Sequence, residues 1–299
     1  MEQRAAERNN QRRVLTAPLF VPGDHPELIR KAIERGARTV ILDLEDAVEG
    51  SVKPRARTLT SEALRTTDWG SVTRIVRVNG VAELPELLED LKALQPVLSE
   101  IDMIILPKVE SADDVHSFEA LLLGSGDVDV LPSLIPTIES AAGVWNARQI
   151  AAASGSVHTL LFGLADLSAE LGITPTAEGQ ELLTARSMVV LACAAAGITK
   201  PWNGPHLNID DDAGLRVAAD NAHLLGFHGM VTIHPKQLSI VTNAFAPTTA
   251  EIAWASSVIE AFTRASAQGS GAVRLSDGTF IDQPIATRAE AILGRAQES

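Results

Sequence analysis

Thr39-Val-Ile-Leu-Asp-Leu-Glu-Asp46 decides the fold. It opens as a short β-branched, apolar run and ends on acids, and the same design returns along the chain. The runs Leu19–Pro22, Thr39–Leu44, Arg74–Val78, Met103–Pro107, Leu134–Ile138, Thr159–Phe162, Ile198–Trp202 and Gly229–Ile233 read as eight strands. Amphipathic segments separate them, which is the pattern of a parallel sheet with crossover helices. Near-continuous hydrophobicity implies strands buried on both faces, as in a barrel wrapped by helices. The expectation is an α/β fold, a (β/α)8 TIM barrel with a C-terminal helical extension.

Helix starts fit this scheme. His25-Pro26 precedes Glu27–Arg35, Ser111 precedes Ala112–Leu123, Ser140 precedes Ala141–Ala153, and Asp210–Asp212 precede Ala213–Leu225. Proline early in a helix and acids at its start are both stabilising. The triple Asp210–Asp212 reads as capping rather than as a cation site. The acidic run Glu83–Asp90 reads as the wet face of a helix, with Leu84, Leu87, Leu88 and Leu91 facing in. A further helix is expected over Thr249–Ala265. The Gly/Ser-rich stretch Gln268–Gly271 then reads as a hinge. The expected domains are a loose polar extension over 1–13, a barrel over 14–267, and a C-terminal segment over 268–299.

Composition excludes whole classes of function. With 38 acidic against 25 basic residues the formal charge is −13, and no basic stripe offsets it, so nucleic acid is not an expected partner. The longest apolar stretch, Met188–Ile198, is 11 residues and contains Gly197, short of the roughly 20 that span a bilayer. The first thirteen residues alternate acids and bases without an apolar core, unlike a secretory signal. The lone Cys193, in the apolar run Leu191–Ala196, reads as a small core residue, and the expected compartment is the cytoplasm. Aromatics at 4%, with no tyrosine, favour helices packed on buried strands over a sandwich. G-x-G-x-x-G, Walker, G-x-S-x-G and H-E-x-x-H motifs are all missing from the sequence.

The polar residues that stand out lie where apolar runs end: Asp24, Glu45 and Asp46, Arg77, Lys108, Glu139, Asp166 and His234. In an eight-stranded α/β barrel these ends converge on one rim, the face that carries active sites. Four carboxylates with two cations and one imidazole suit a hard cation such as Mg²⁺, with waters left for an oxygen-rich substrate. An arginine beside that metal grips a carboxylate bidentately. The combination points to a 2-oxo or 2-hydroxy acid whose enolate or alkoxide the metal stabilises. Glu139 and Asp166 are the best metal candidates, each being the only acid at its strand end. Bland readings stand beside these: Asp46 as a helix cap, His234 bonded to backbone before Pro235, and Arg77 paired with Glu45.

The ordered motifs resemble those of the HpcH/HpaI aldolase and citrate lyase β-subunit family, especially its CitE-like branch. They are Leu19-Phe-Val-Pro-Gly-Asp24, Val40–Val48 with Lys53 and Ala56-Arg57, Val76-Arg-Val-Asn79, and Ile105-Leu-Pro-Lys-Val-Glu-Ser111. Thr137-Ile-Glu-Ser-Ala-Ala-Gly143, Phe162-Gly-Leu-Ala-Asp166 with Leu171-Gly172, Gly226-Phe227 with Ile233-His-Pro-Lys-Gln237, and Asp277–Asp282 follow in order. The resemblance implies a (β/α)8 barrel assembled as homotrimers or hexamers, with Mg²⁺ on Glu139 and Asp166 and the substrate carboxylate or 2-oxo acid on Arg77. It implies Glu45 and Asp46 as a second shell around the metal. Asp282 is implied as a catalytic acid on a mobile lid reaching a neighbouring subunit. The implied reaction cleaves or forms 3-hydroxyacyl thioesters of the malyl-CoA, citramalyl-CoA or citryl type, from a 2-oxo acid and an acyl-CoA. Two other readings remain: a CoA-independent pyruvate aldolase on hydroxy-oxo acids, and a subunit acting on acyl carrier protein. Thr16, Ala165, Asn203 and Met230 depart from the residues common in relatives, Thr16 replacing an arginine that can help bind a carboxylate or phosphate.

Overall fold

The computed structural model describes residues 15–124, 131–176, 178–275 and 278–298. The extension over 1–13 lies outside them. Eight strands pair in chain order, every neighbour parallel: β1 (Leu19–Pro22), β2 (Thr39–Asp43), β3 (Thr73–Arg77), β4 (Met103–Leu106), β5 (Ser133–Ile138), β6 (Leu161–Phe162), β7 (Trp202–Asn203) and β8 (Gly229–Met230). A parallel bridge between Leu19 and Thr232 joins the two ends. Phe20 N–H donates to the Thr232 carbonyl at 2.9 Å and Thr232 N–H to the Pro18 carbonyl at 2.7 Å. The sheet therefore closes, and the fold is the expected (β/α)8 barrel.

Nine helices are described in this unit, which spans Leu15–Phe245. They are α1 (Glu27–Glu34), α2 (Lys53–Thr66), α3 (Leu84–Leu94), α4 (Ala112–Gly124), α5 (Ala141–Ala151), α6 (Leu164–Leu171), α7 (Leu183–Ala196), α8 (Asp212–Leu225) and α9 (Leu238–Phe245). Strand parity sorts the core into two layers. Ile41, Ile75, Ile105, Ile135, Leu161, Trp202 and Val231 fill the barrel interior. Their neighbours Val40, Leu42, Val76, Ile104 and Leu106 face outward into the helix layer. The caps follow the sequence: Ser140 Oγ accepts from Gly143 N–H at 3.0 Å, and Asp211 from Gly214 N–H at 2.9 Å.

Three details differ from expectation. The seventh strand begins only at Trp202, because Pro201 has no N–H to give the ladder. On α3, Leu87 and Leu91 are buried, but Leu84 and Leu88 are 43% and 45% exposed, while Asp90 is fully buried. The wet face is thus turned by about one residue, and Asp90 is inside. The compact unit also ends at Phe245, not at residue 267.

The second unit runs from Ala246 and has its own core. Helix α10 (Thr249–Ala267) begins at a capping box of Thr248 and Glu251, followed by β9 (Val273–Arg274), β10 (Phe280–Ile281) and α11 (Gln283–Glu298). The two strands form an antiparallel pair. Ala255, Val258 and Ala261 of α10 pack with Ile281, Ala289 and Ile292, so α10 belongs with this core. Among the described residues no helix is long and apolar enough to cross a membrane.

Candidate active site

Parity carries acids and bases to the mouth of the barrel. In β2, Ile41 points inward, so Asp43 and then Glu45 follow on the same side, and Ile75 likewise sets Arg77 inward. Asp43 is fully buried and Glu45 is 2% exposed. Arg77 Nε donates to Asp43 Oδ1 at 2.7 Å and Nη2 donates to Oδ2. Its Nη1 pairs with Glu45 Oε2 at 2.8 Å, and its guanidinium lies over the Phe20 ring at 4.8 Å. Burial opposes the Arg77 charge, but Asp43 and Glu45 outweigh it and raise its proton affinity above the ordinary guanidinium value. Asp43 in turn accepts from Glu45 N–H at 3.0 Å, which fixes the strand exit. The pairing of Arg77 with Glu45 is present, and Asp43 is the partner that the sequence did not single out.

Lys108, just past β4, has φ 55° and is the only non-glycine residue with positive φ among those described. That conformation costs about 1–2 kcal/mol for a residue with a Cβ. It aims the Lys108 N–H at Glu139 Oε1, 2.6 Å away. The ammonium reaches Glu45 Oε1 at 2.8 Å, Glu83 Oε1 at 3.4 Å and Asp46 Oδ1 at 3.6 Å. Asp46 itself is mostly exposed, so of the two acids expected to stand behind the metal only Glu45 is enclosed.

Glu139 leaves β5 at the rim and is 6% exposed. Burial pushes its carboxyl up to about 8, and the nearby charges of Glu45 and Asp166 push the same way. Burial also raises Glu45, against the pull of Arg77 and Lys108. Asp166 sits in the exposed first turn of α6, where the helix dipole favours a carboxylate. Room for Glu139 depends on Gly163, since a Cβ there would lie 2.4 Å from Glu139 Cβ and 2.5 Å from Oε2.

Among the described residues no three His, Cys, Asp or Glu side chains converge as a closed metal cage. Two carboxylates sharing a site with a repelled, buried charge do fit Mg²⁺, which keeps several waters and takes few protein ligands. The donor set is hard oxygen throughout.

A second network stands behind β2 and β3. Asn79 N–H and Nδ2 both donate to Asp90 Oδ2, at 2.8 and 2.6 Å, and Nδ2 also reaches the Leu44 carbonyl at 3.1 Å. Arg57 Nε donates to Asp90 Oδ1 at 2.7 Å, and Lys53 Nζ bonds Asn79 Oδ1. Asp90 therefore ties α2, α3 and β3 to the backbone between Asp43 and Glu45.

Other expected positions fall elsewhere. His234 Nδ1 accepts from Lys236 N–H at 3.2 Å in a capping box, so its bland reading is met. Thr16 offers its carbonyl to Met230 N–H at 2.9 Å, at the entry end of β8. The rim carboxylates stand at the strand exits, so Thr16 does not share their mouth. Asn203 is buried at the exit of β7, with its Oδ1 unpartnered. Asp282 belongs to the second unit, where its Oδ1 accepts from Ile285 N–H at 3.3 Å and caps α11.

The sequence profile of the HpcH/HpaI aldolase/citrate lyase family matches residues 16–235. The chain belongs to this family. It is 36% identical over 288 residues to the citrate lyase subunit beta of Leuconostoc mesenteroides subsp. cremoris, covering 95% of this chain and 94% of that one. It is 34% identical over 306 residues to the L-malyl-CoA/beta-methylmalyl-CoA lyase of Rhodobacter capsulatus, covering 93% of each. Among solved structures it resembles CitE from Mycobacterium tuberculosis in complex with magnesium, acetoacetate and coenzyme A. That match has a TM-score of 0.78 and 33% identity over 94% of this chain and 98% of the other. As a member of the HpcH/HpaI aldolase/citrate lyase family, the chain is a carbon–carbon lyase.

Proposed function

We propose that this lyase cleaves and forms the carbon–carbon bond of a 3-hydroxyacyl-coenzyme A thioester of the malyl, citramalyl or citryl type, with a 2-oxo acid and an acyl thioester on the other side. The observation that carries the reading is Glu139, buried at the rim between Glu45 and Asp166 and calling for a cation. Glu139 and Asp166 are the residues that would hold Mg²⁺. When bound there, Mg²⁺ supplies a Lewis acid beside the negative charge that develops on substrate oxygens.

The chain's own groups do the rest. Arg77 has five N–H donors, of which Asp43 and Glu45 take three, and the remaining two bind the substrate carboxylate. Asp43 orients that fork. Asp282 gives a proton to the α-carbon of the thioester enolate in cleavage and removes it in synthesis. We assign Asp282 to the site of a neighbouring subunit in a trimer or hexamer, with 268–299 as the lid. Coenzyme A is preferred to a carrier protein because a solved relative, similar over 94% of this chain, holds coenzyme A. The buried Cys193 thiol, pushed up to about 12 by burial, is an inert core group that suits a reducing cytoplasm.

Complementation tests the assignment. Glu139→Gln and Asp282→Asn are each expected to be inactive alone, and co-refolded mixtures to regain about a quarter or more of wild-type turnover, since mixed subunits rebuild intact sites. Isothermal titration is expected to show acetyl-CoA binding. Full activity of Asp282→Asn would favour the free-acid aldolase, and binding only to acyl carrier protein would favour the carrier-linked subunit.

A further inference from the structure

We propose that Lys108 is a positioning residue that keeps Glu45 paired away from the metal, so that the ion is held by Glu139 and Asp166 alone. The proposal rests on the Mg²⁺ reading above. Glu45 is buried beside Glu139, and its charge is among those that act on Glu139 most strongly. Unpaired, it would offer a third carboxylate to the same ion. In the structure both its oxygens are committed to cations: Oε1 to the Lys108 ammonium and Oε2 to Arg77, each at 2.8 Å. A site of two carboxylates leaves coordination positions for water and substrate oxygens, whereas a third would fill one of them and slow exchange.

The backbone of Lys108 supports the assignment independently. Glycine takes φ 55° without penalty, yet this position carries a lysine, and the strained conformation is what lets one residue serve two acids. Its N–H orients Glu139 from one side while its ammonium holds Glu45 from the other. Glu83 and Asp46, at 3.4 and 3.6 Å, keep the ammonium at that end of its reach.

Two variants separate the roles. Lys108→Gly keeps the main-chain N–H and suits the backbone, and Lys108→Gln keeps a side chain of similar reach without the charge. Titration of the metal-free protein with Mg²⁺ alone is expected to show about tenfold tighter binding in both, because a positive charge has left the site and Glu45 Oε1 has lost its ammonium while Oε2 stays on Arg77. Binding of a 2-oxo acid to the Mg²⁺-loaded variants is expected to weaken, and Lys108→Arg to keep wild-type Mg²⁺ affinity. A merely structural role would loosen Glu139 and weaken Mg²⁺ binding, so unchanged or weaker affinity in folded Lys108→Gly or Lys108→Gln overturns the proposal. Glu139→Gln serves as the control: if it binds Mg²⁺ as wild type does, the metal reading itself fails.

Discussion

Glu139 joins the site's electrostatics to its pH dependence. Its carboxyl ionises at about 8 in the folded, metal-free chain against an ordinary 4.5. Between those values the folded state holds a proton that the unfolded chain has released, so metal-free stability falls as pH rises from 4.5 to 8. Thermal unfolding of the metal-free protein should show that decline, and Glu139→Gln should flatten it. Mg²⁺ bound at Glu139 as proposed would displace the same proton, so its affinity should rise with pH and level off above about 8. Gly163→Ala is expected to drive the Glu139 carboxylate aside, lowering kcat by about a hundredfold or more while far-UV circular dichroism stays unchanged. Asp43→Asn should chiefly raise KM for the 2-oxo acid by about tenfold or more, since Arg77 loses the carboxylate that aims it. Glu139 and Arg77 were legible because strand ends of a barrel meet on one rim. Asp43 carries the same signal, lying two residues beyond the inward Ile41, but it sits inside the apolar run Thr39–Leu44 and not after it. Lys108 stands out in sequence as a rim cation, but its positive φ has no signal there, because lysine carries no preference for that conformation.

At the scale of elements, the exits of β2 and β3 are held by side chains from α2 and α3. Asp90 is the hub, accepting from Arg57 and twice from Asn79. Asp90→Ala leaves the buried Arg57 guanidinium with only Glu86 at the surface and the buried Asn79 N–H without its acceptor, and should cost about 3–5 kcal/mol in urea unfolding. The loss should reach the site through the Leu44 carbonyl that Asn79 holds between Asp43 and Glu45. A charged run on a helix normally faces water, and that expectation placed Asp90 outside; only its partners Arg57 and Asn79, distant in sequence, bring it in. The strands were legible to within a few residues because both faces are apolar. Their ends were not, where proline or a bridging loop interrupts the ladder, as at Pro201 and beyond Met230.

For the whole molecule, the charge of −13 has a local meaning as well as a general one. Glu45, Glu139 and Asp166 repel one another at the rim of the Leu15–Phe245 unit, and they would also repel an anionic substrate unless cations intervene. The boundary of that unit was not legible, since the Gly/Ser stretch after Ala267 is the stronger break in sequence, whereas α10 packs its small apolar face into the core of the second unit. On the proposed reading, these rim charges make turnover strictly metal-dependent. The most direct test measures 2-oxo acid release from malyl-, citramalyl- and citryl-CoA by the wild-type chain with saturating Mg²⁺, after chelation, and in Glu139→Gln. The predicted result is turnover of at least one thioester, reduced about a hundredfold or more by chelation and by the substitution alike. Wild-type rates after chelation, or in Glu139→Gln, would contradict it.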